Sequence, residues 1–146
     1  MSTQTFLFDR VMIVDDTKID RYIASTVMKK HFFSREIMEF DMATKAIMYL
    51  EENQNNPQML PQVTILDVRM PEMDGFQFLE KLSQLPAMVS QSCCIIMLSS
   101  SLDPSDLERA QQNAIVKMFL NKPLNKTNLE QIRQLYLQSQ KQGVKN

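Results

Sequence analysis

The sequence is poor in several residue types that define particular classes of protein. It has one histidine, two cysteines and no tryptophan among its 146 residues. Zinc sites combine several histidine and cysteine ligands, so no zinc chemistry is expected. Cys93 and Cys94 are adjacent in an apolar run, and neighbouring strand residues point to opposite faces of a sheet, which argues against a disulfide between them. We therefore expect two buried thiols in a reducing compartment.

Two further absences limit the classes of partner. The formal net charge is only −1, so no basic surface for direct nucleic-acid binding is expected. No apolar run approaches the roughly 20 residues needed to span a bilayer, and the start of the chain lacks the features of a secretion signal. These absences predict a cytoplasmic protein without a membrane partner. The length predicts a single domain over residues 1–146, with a core at about 10–137 and a polar tail at 139–146.

Short apolar runs alternate with longer segments of helical periodicity along the chain. The apolar runs predict five strands, at Val11–Val14, Ile37–Phe40, Val63–Leu66, Cys93–Leu98 and Val116–Leu120. The periodic segments predict five helices, at Ile19–Phe33, Met42–Glu52, Phe76–Leu82, Pro104–Asn113 and Lys126–Gln138. This alternation favours an α/β fold with a parallel sheet covered by helices on both faces. Continuous apolar strands are typical of a sheet that is buried on both sides.

Acidic side chains follow two of the predicted strands where each strand ends. Asp15 and Asp16 follow the first strand, and Asp67 follows the third. Because right-handed crossovers bring the carboxyl ends of parallel strands to one edge, we expect three carboxylates in one pocket. Unit charges about 4 Å apart repel by roughly 4 kcal/mol at an effective dielectric of 20, so such a cluster requires a cation. Oxygen ligands without histidine or cysteine favour Mg²⁺.

An ammonium and a hydroxyl are predicted at the same edge. Lys122 follows the fifth strand and can pair with Asp67 in the empty site or with phosphate oxygens in the loaded one. Ser99 follows the fourth strand and offers a hydroxyl donor. Its distance along the chain from Lys122 favours it over the two serines that follow it. Together with the acids, these groups suggest a metal-assisted phosphoryl site.

In this combination the chain resembles the receiver domain of two-component response regulators. The matching elements occur in the family's order: Asp15-Asp16, Asp67, the turn Met70–Gly75, Ser99 and Lys122-Pro123. The resemblance covers residues 10–137. It implies a flavodoxin-like (CheY-like) doubly wound sheet of five parallel strands in the order 2-1-3-4-5, with five helices.

The resemblance also implies roles for these residues. Asp67 would accept a phosphoryl group from the phosphohistidine of a histidine kinase or a phosphotransfer protein. Mg²⁺ would be bound directly by the carboxylates of Asp16 and Asp67 and by the backbone carbonyl of Arg69, and largely through water by Asp15. Lys122 would neutralise the transferring phosphoryl group.

A switch is implied as well. On phosphorylation, the Ser99 hydroxyl would move toward the phosphate and the Phe119 ring would turn inward, which alters a protein-interaction surface. The Lys122-Pro123 peptide bond is expected to be cis. No output domain fits after residue 137, so the output would be a separate protein target. The protein would be a monomer or a phosphorylation-dependent dimer.

Two other functions compete with this interpretation. A receiver-like adaptor that is never phosphorylated would have no use for the acid cluster and Lys122. A phosphohydrolase with an aspartyl nucleophile would need an acid two residues after Asp67, where this sequence has Arg69. We therefore expect a phosphoacceptor signalling protein with self-catalysed transfer and slow autodephosphorylation, not a turnover enzyme. We further hypothesise that Arg69 pairs with the phosphoryl group, or shields it, and so sets its lifetime.

Polar residues mark several ends of the predicted helices. Asp103 before Pro104 predicts an N-cap, and Asp74 before a glycine is expected to act as a turn and cap residue. His31 is placed at a helix end, where its charge suits the helix dipole. Asn113-Ala114 stands in the turn before the fifth strand, where receivers usually carry glycine. Asparagine tolerates left-handed backbone angles, so this substitution is physically acceptable.

Overall fold

The structure is a computed structural model that describes the backbone of residues 5–144 and the side chains of residues 5–140. Its strands are β1 (Phe8–Val14), β2 (Ser34–Phe40), β3 (Val63–Asp67), β4 (Cys94–Ser99) and β5 (Val116–Asn121). All neighbouring strands are parallel, and their order in the sheet is β2-β1-β3-β4-β5. The predicted fold class and strand order are confirmed.

Helices connect the strands and continue beyond the last one. They are α1 (Lys18–Lys30), α2 (Ala43–Glu52), α3 (Gly75–Ser83), α4 (Ala87–Ser92), α5 (Pro104–Gln111) and α6 (Lys126–Val144), with a 3₁₀ turn at Pro57–Met59. The structure thus adds the short helix α4 to the five predicted helices. With six residues and one buried side chain, Val89, α4 is too short to produce a helical period in the sequence. Helix α6 runs into the segment 139–146 that the sequence predicts as a polar tail.

Apolar side chains cover both faces of the sheet. On one face, α2, α3, α4 and α5 pack against strand residues such as Met12, Leu66 and Met97. On the other face, α1 and α6 pack against strand residues such as Ile13 and Ile65. All five of these strand side chains are almost completely buried. The two buried faces explain why the central strands β3 and β4 are almost continuously apolar, whereas the edge strands β2 and β5 carry charged residues.

The strand order creates a crevice at the carboxyl edge of the sheet. Val14 of β1 lies beside Leu66 of β3, so these strands end next to each other. The helix that follows β1 covers one face of the sheet, and the helix that follows β3 covers the other. The two connections therefore diverge at this point, which is where open α/β sheets bind their ligands.

Most of the predicted helix ends are confirmed. Asp74 caps α3 in a reciprocal pair of hydrogen bonds with Gln77, and Asp103 caps α5 by accepting from the Ser105 amide. His31 is the C-cap of α1. Asn113 does not use the left-handed backbone that asparagine tolerates, since positive φ angles among the non-glycine residues of 5–144 occur only at Phe32 and Glu72.

Asn113 instead makes the turn with its side chain. Its amide oxygen accepts a hydrogen bond from the backbone of Ile115. This local bond replaces the backbone freedom of glycine.

Two other expectations can be compared with the fold. Cys93 and Cys94 are free thiols; Cys93 is buried, as predicted, whereas Cys94 is only half-buried. None of the helices described between residues 5 and 144 has both the length and the apolar character required to cross a bilayer.

Candidate functional site

The three predicted acids meet at the crevice between β1 and β3. Asp15 and Asp16 follow the last residue of β1, and Asp67 is the last residue of β3. One carboxylate oxygen of each lies within 4.8 Å of the others. Asp15 and Asp67 are only 3% and 5% exposed, whereas Asp16 faces solvent. The cluster therefore has two buried acids and one acid accessible from outside.

Lys122 reaches into this cluster from the residue after β5. Its Nζ lies 2.8 Å from Asp15 Oδ2 and 3.2 Å from Asp67 Oδ1. The expected pairing with Asp67 is thus present. A third carboxylate, from Asp20 on α1, lies 2.9 Å from the same ammonium. The Lys122-Pro123 peptide bond is cis, as predicted.

Sequence reasoning missed Asp20. Unlike Asp15, Asp16 and Asp67, it does not lie at the end of a strand. It is in the first turn of α1, four residues after Asp16. An acid in the first turn of a helix is common because the helix dipole favours it. Its position only one turn into the helix that begins beside Asp15-Asp16 was the available signal.

The surroundings of Asp67 change its acidity. Burial, followed by the negative charge of Asp15, raises the pKa of Asp67 to about 7, although Lys122 partly opposes both effects. Burial alone would lower the pKa of Lys122, but its bonds to Asp15 and Asp20 and the charge of Asp67 raise that pKa above its usual value. The ammonium is therefore held in its charged form, while the site retains an excess of negative charge that a cation would relieve.

Asp15 has two roles that involve different atoms. Its Oδ1 accepts a hydrogen bond from the Thr17 backbone at 2.9 Å, and its Oδ2 pairs with Lys122. Arg21 donates from Nη1 to the Asp15 backbone carbonyl at 2.8 Å. A role for Asp15 in the turn before α1, the simpler explanation of this residue, therefore coexists with its place in the acid cluster.

Gly75 packs directly against the backbone of Asp67. Its amide donates to the Val68 carbonyl at 2.9 Å. A Cβ atom at Gly75 would lie 2.6 Å from the Asp67 carbonyl oxygen and 2.9 Å from Met97 Cε. Only glycine fits here without movement of the backbone that carries Asp67.

Ser99 is buried at the end of β4, whereas Ser100 and Ser101 are exposed. Its hydroxyl donates to the Ser101 carbonyl at 2.7 Å, and its backbone carbonyl accepts from the Lys122 amide at 2.7 Å. The hydroxyl is therefore bonded to the loop that follows β4. This hydrogen bond must break before the hydroxyl can donate to a phosphoryl group on Asp67.

Phe119 lies on β5 opposite Met97 of β4. Its ring is half-buried and packs against the core cluster that contains Met97 and Ala110. This position connects the last two strands with α5, the helix that contains Ala110.

The side chain of Arg69 forms its ion pairs at the start of α5, outside the cluster of Asp15, Asp16 and Asp67. Its Nη2 donates to Asp106 Oδ2 at 2.5 Å and lies 3.8 Å from Asp103 Oδ2. Asp106 is 2% exposed, in the first turn of α5. Any contact between Arg69 and a phosphoryl group would therefore compete with this ion pair.

Comparison with known proteins identifies the family. The response regulator receiver domain matches residues 11–134. The chain belongs to this family. It is 27% identical over 124 residues to the chemotaxis protein CheY of Bacillus subtilis, an alignment that covers 80% of this chain and 98% of that protein. This receiver domain is accordingly a domain of two-component signalling, as the sequence predicts.

A second relative is larger than this chain. The two-component response regulator ORR1 of Oryza sativa subsp. japonica is 26% identical over 126 residues, which cover 85% of this chain and 53% of that protein. The chain thus spans about half the length of the rice relative.

Solved receiver structures superimpose on this receiver over most of its length. A two-component response regulator from Cytophaga hutchinsonii has a TM-score of 0.80 and 26% identity, and the alignment covers 89% of this chain and 95% of that one. A response regulator receiver protein from Dyadobacter fermentans has a TM-score of 0.75 and 27% identity, with 90% and 98% covered. The CheY-like fold is confirmed by these neighbours.

Proposed function

We propose that this receiver domain accepts a phosphoryl group on Asp67 and then changes a surface that binds another protein. The observation that supports this most strongly is the setting of Asp67. Its buried carboxylate lies within 4.8 Å of two other acids and 3.2 Å from the Lys122 ammonium. Nucleophile, cation-binding acids and a counter-charge for phosphate are thus collected at one edge of the sheet.

Mg²⁺ is the cofactor that the donor set fits. Three carboxylates close to one ammonium leave excess negative charge, and their hard oxygen atoms suit a hard divalent cation. The ion would be held by Asp15, Asp16, Asp67 and the backbone carbonyl of Arg69. When bound, Mg²⁺ would supply positive charge against the oxygens of the phosphoryl group.

The proposed donor is a phosphohistidine of a histidine kinase or of a phosphotransfer protein. A carboxylate oxygen of Asp67 forms a bond to phosphorus while the phosphorus–nitrogen bond of the donor breaks, and the electron pair of that bond returns to the imidazole. Lys122 shifts from the Asp67 carboxylate to a phosphoryl oxygen and neutralises its charge. The signal ends by hydrolysis: water attacks phosphorus, the bond between phosphorus and the Asp67 oxygen breaks, and inorganic phosphate and the free carboxylate are released.

The same chemistry explains why this domain would act as a switch and not as a turnover enzyme. Each cycle begins and ends with free Asp67, and the phosphorylated group is the domain's own side chain. Once Asp67 is phosphorylated, the Ser99 hydroxyl exchanges its hydrogen bond to the Ser101 carbonyl for one to the phosphate. The Phe119 ring then turns inward. Both changes lie near α5 and β5, which would form the surface read by a cytoplasmic protein target or by a second phosphorylated copy.

The proposal can be tested with acetyl phosphate as the phosphoryl donor and Mg²⁺ as the metal ion. Intact mass measured within minutes should show a gain of one phosphoryl group, and ¹⁹F NMR should show Mg²⁺-dependent binding of beryllofluoride. Both signals should disappear in Asp67→Asn. They should persist in Asp74→Asn, which removes a carboxylate from the adjacent turn but retains a side chain able to cap α3.

Three results would count against phosphoryl acceptance at Asp67. A mass gain that survives in Asp67→Asn would place the phosphoryl group elsewhere. Loss of both signals in Asp74→Asn as well would show that the response is not specific to Asp67. The absence of both signals in the wild type would favour a receiver-like adaptor that is never phosphorylated.

A further inference from the structure

Lys122 has one partner outside the acid cluster. Its Nζ contacts Asp20 Oδ2 at 2.9 Å, almost as close as its contact with Asp15 at 2.8 Å and closer than its contact with Asp67 at 3.2 Å. Asp20 belongs to α1, not to a strand end. Its side chain is 29% exposed, whereas that of Lys122 is only 10% exposed. The ammonium therefore lies between the acid cluster and the first turn of α1.

The other two partners of Lys122 are also the proposed ligands of the metal ion. A divalent cation at the cluster would draw the carboxylates of Asp15 and Asp67 toward itself and repel the ammonium. A lysine side chain has many rotamers, so an ammonium without a partner would not stay in one place. Asp20 is the remaining carboxylate within contact distance of Nζ among the described residues.

We propose that Asp20 is a positioning residue that holds the Lys122 ammonium beside the site while Asp15 and Asp67 bind the metal ion. This inference rests on the proposed function, because it assigns Asp20 a part in the same phosphoryl transfer. Asp20 suits the role for two reasons. Its short side chain stands on a helix, which fixes its position, and the helix dipole stabilises its charge in the first turn.

This arrangement also reduces a competition. Without Asp20, the ammonium has only Asp15 and Asp67 as partners. It then competes with the metal ion for these two carboxylates. With Asp20 present, Lys122 can release those carboxylates and remain close to the incoming phosphoryl oxygens. Asp20 should therefore affect metal affinity and the order of the ammonium, and have little effect on folding.

The direct test is NMR of the lysine ammonium groups in ¹⁵N-labelled protein. A lysine held by carboxylates exchanges its ammonium hydrogens slowly and gives a cross-peak, which Lys122→Met assigns by its absence. In the wild type, the cross-peak should persist when saturating Mg²⁺ is added. In Asp20→Asn, it should be present without metal, because Asp15 and Asp67 remain, and disappear when Mg²⁺ is added.

A matched control is available elsewhere on the surface. Asp41, which precedes α2, pairs with Lys45 of that helix at 2.9 Å, the same distance as in the Asp20 pair. Asp41→Asn changes the net charge equally and should leave the Lys122 cross-peak unchanged with and without Mg²⁺. A Lys122 cross-peak that persists in Asp20→Asn with Mg²⁺, or that the wild type itself loses on adding Mg²⁺, would overturn the proposal.

Calorimetric titration with Mg²⁺ gives a second measurement. Asp20→Asn should weaken Mg²⁺ binding by about threefold to tenfold, the range expected for one coupled charge pair. Asp20→Glu should recover part of that loss because it restores the carboxylate on the same helix. Equal Mg²⁺ affinities in the wild type and Asp20→Asn would contradict the role proposed for Asp20 but leave the proposed function intact. A wild type that binds no Mg²⁺ would instead contradict the proposed function, and this inference with it.

Discussion

The guanidinium of Arg69 donates a hydrogen bond of 2.5 Å to the buried carboxylate of Asp106. This bond joins the loop after β3, which follows the candidate phosphoacceptor, to the first turn of α5. The two partners differ in burial, because the side chain of Arg69 is 59% exposed and that of Asp106 is only 2% exposed. Loss of the ion pair therefore costs more for Asp106, whose charge is buried, than for Arg69, whose charge water can solvate.

The first prediction concerns the removal of Arg69. Arg69→Ala leaves the buried Asp106 carboxylate without its partner, so the free energy of unfolding should fall by about 2 kcal/mol. Urea denaturation monitored by circular dichroism measures this change. The double variant with Asp106→Ala should recover most of the loss, since no buried charge is then left unpaired.

The same variant tests the hypothesis that Arg69 controls phosphoryl lifetime. If the guanidinium leaves Asp106 for the phosphoryl group, the dephosphorylation rate of loaded Arg69→Ala should differ from that of the wild type. An unchanged rate, with reduced stability, would restrict Arg69 to its contact with α5.

The second prediction concerns Gly75. A methyl group at this position would lie 2.6 Å from the Asp67 carbonyl oxygen, so Gly75→Ala must displace the backbone that carries Asp67. We expect a loss of about 2 kcal/mol in stability, the usual cost of overpacking, together with weaker Mg²⁺ binding. Denaturation and calorimetry measure the two effects. Glu80→Ala, at an exposed position of the same helix, should change neither, and normal Mg²⁺ affinity in Gly75→Ala would show that the contact does not position Asp67.

The third prediction concerns pH. The folded-state pKa of Asp67 is about 7, above the usual 3.8, so the folded protein binds more protons through this group than the unfolded chain does between these values. The resulting stabilisation is complete below about pH 4 and is lost as the pH rises through 7. Without metal, the melting temperature should therefore fall between pH 5 and pH 8, by about 3–6 °C more in the wild type than in Asp67→Asn.

Other shifted groups do not obscure this window. The pKa values of Asp41 and Asp103 are lowered below 3.8, so their contributions change at lower pH. Those of Cys93 and Cys94 are raised to about 11, so these thiols change at higher pH. Thermal melts at several pH values, with chelator present, measure the difference. Identical pH profiles for the wild type and Asp67→Asn would show that Asp67 is not the titrating group.

The fourth prediction separates the three consecutive serines. Ser99→Ala removes a buried hydroxyl whose present acceptor is the Ser101 carbonyl, so stability should change by no more than about 1 kcal/mol. The beryllofluoride-induced change around Phe119, followed by aromatic NMR signals, should be strongly reduced. Ser101→Ala keeps the backbone carbonyl and should respond as the wild type does. A normal response in Ser99→Ala would remove its hydroxyl from the switch.

The sequence predicted the sheet and the acid cluster because both depend on strong local signals. Apolar strands of four or more residues stand out against the helical segments, and parallel topology then determines where Asp15 and Asp67 meet. Helix α4 and the contacts of Arg69 and Asp20 were not predicted. Helix α4 is too short to produce a periodic signal. The two contacts depend on where side chains on different elements come within reach, at separations of 37 residues for Arg69 and Asp106 and 102 for Asp20 and Lys122.

The partial success at Asn113 illustrates a different limit. The sequence correctly indicated a turn before β5, but Asn113 does not adopt the left-handed backbone that asparagine tolerates. Asparagine can make such a turn either through its backbone or through its side chain, and it uses the side chain here. Composition alone does not distinguish the two solutions because both satisfy the same turn.

The crevice between β1 and β3 arises from the order of the strands and not from the acids at its rim. A single exchange of Asp67 for asparagine, which is nearly the same size, would therefore leave the cleft and the surrounding surface in place while removing the proposed phosphoacceptor carboxylate. Under the proposed function, such a variant would still bind the phosphohistidine donor but would not accept its phosphoryl group. Expressed beside the normal protein, it would act as a decoy that lowers the signal in proportion to its abundance.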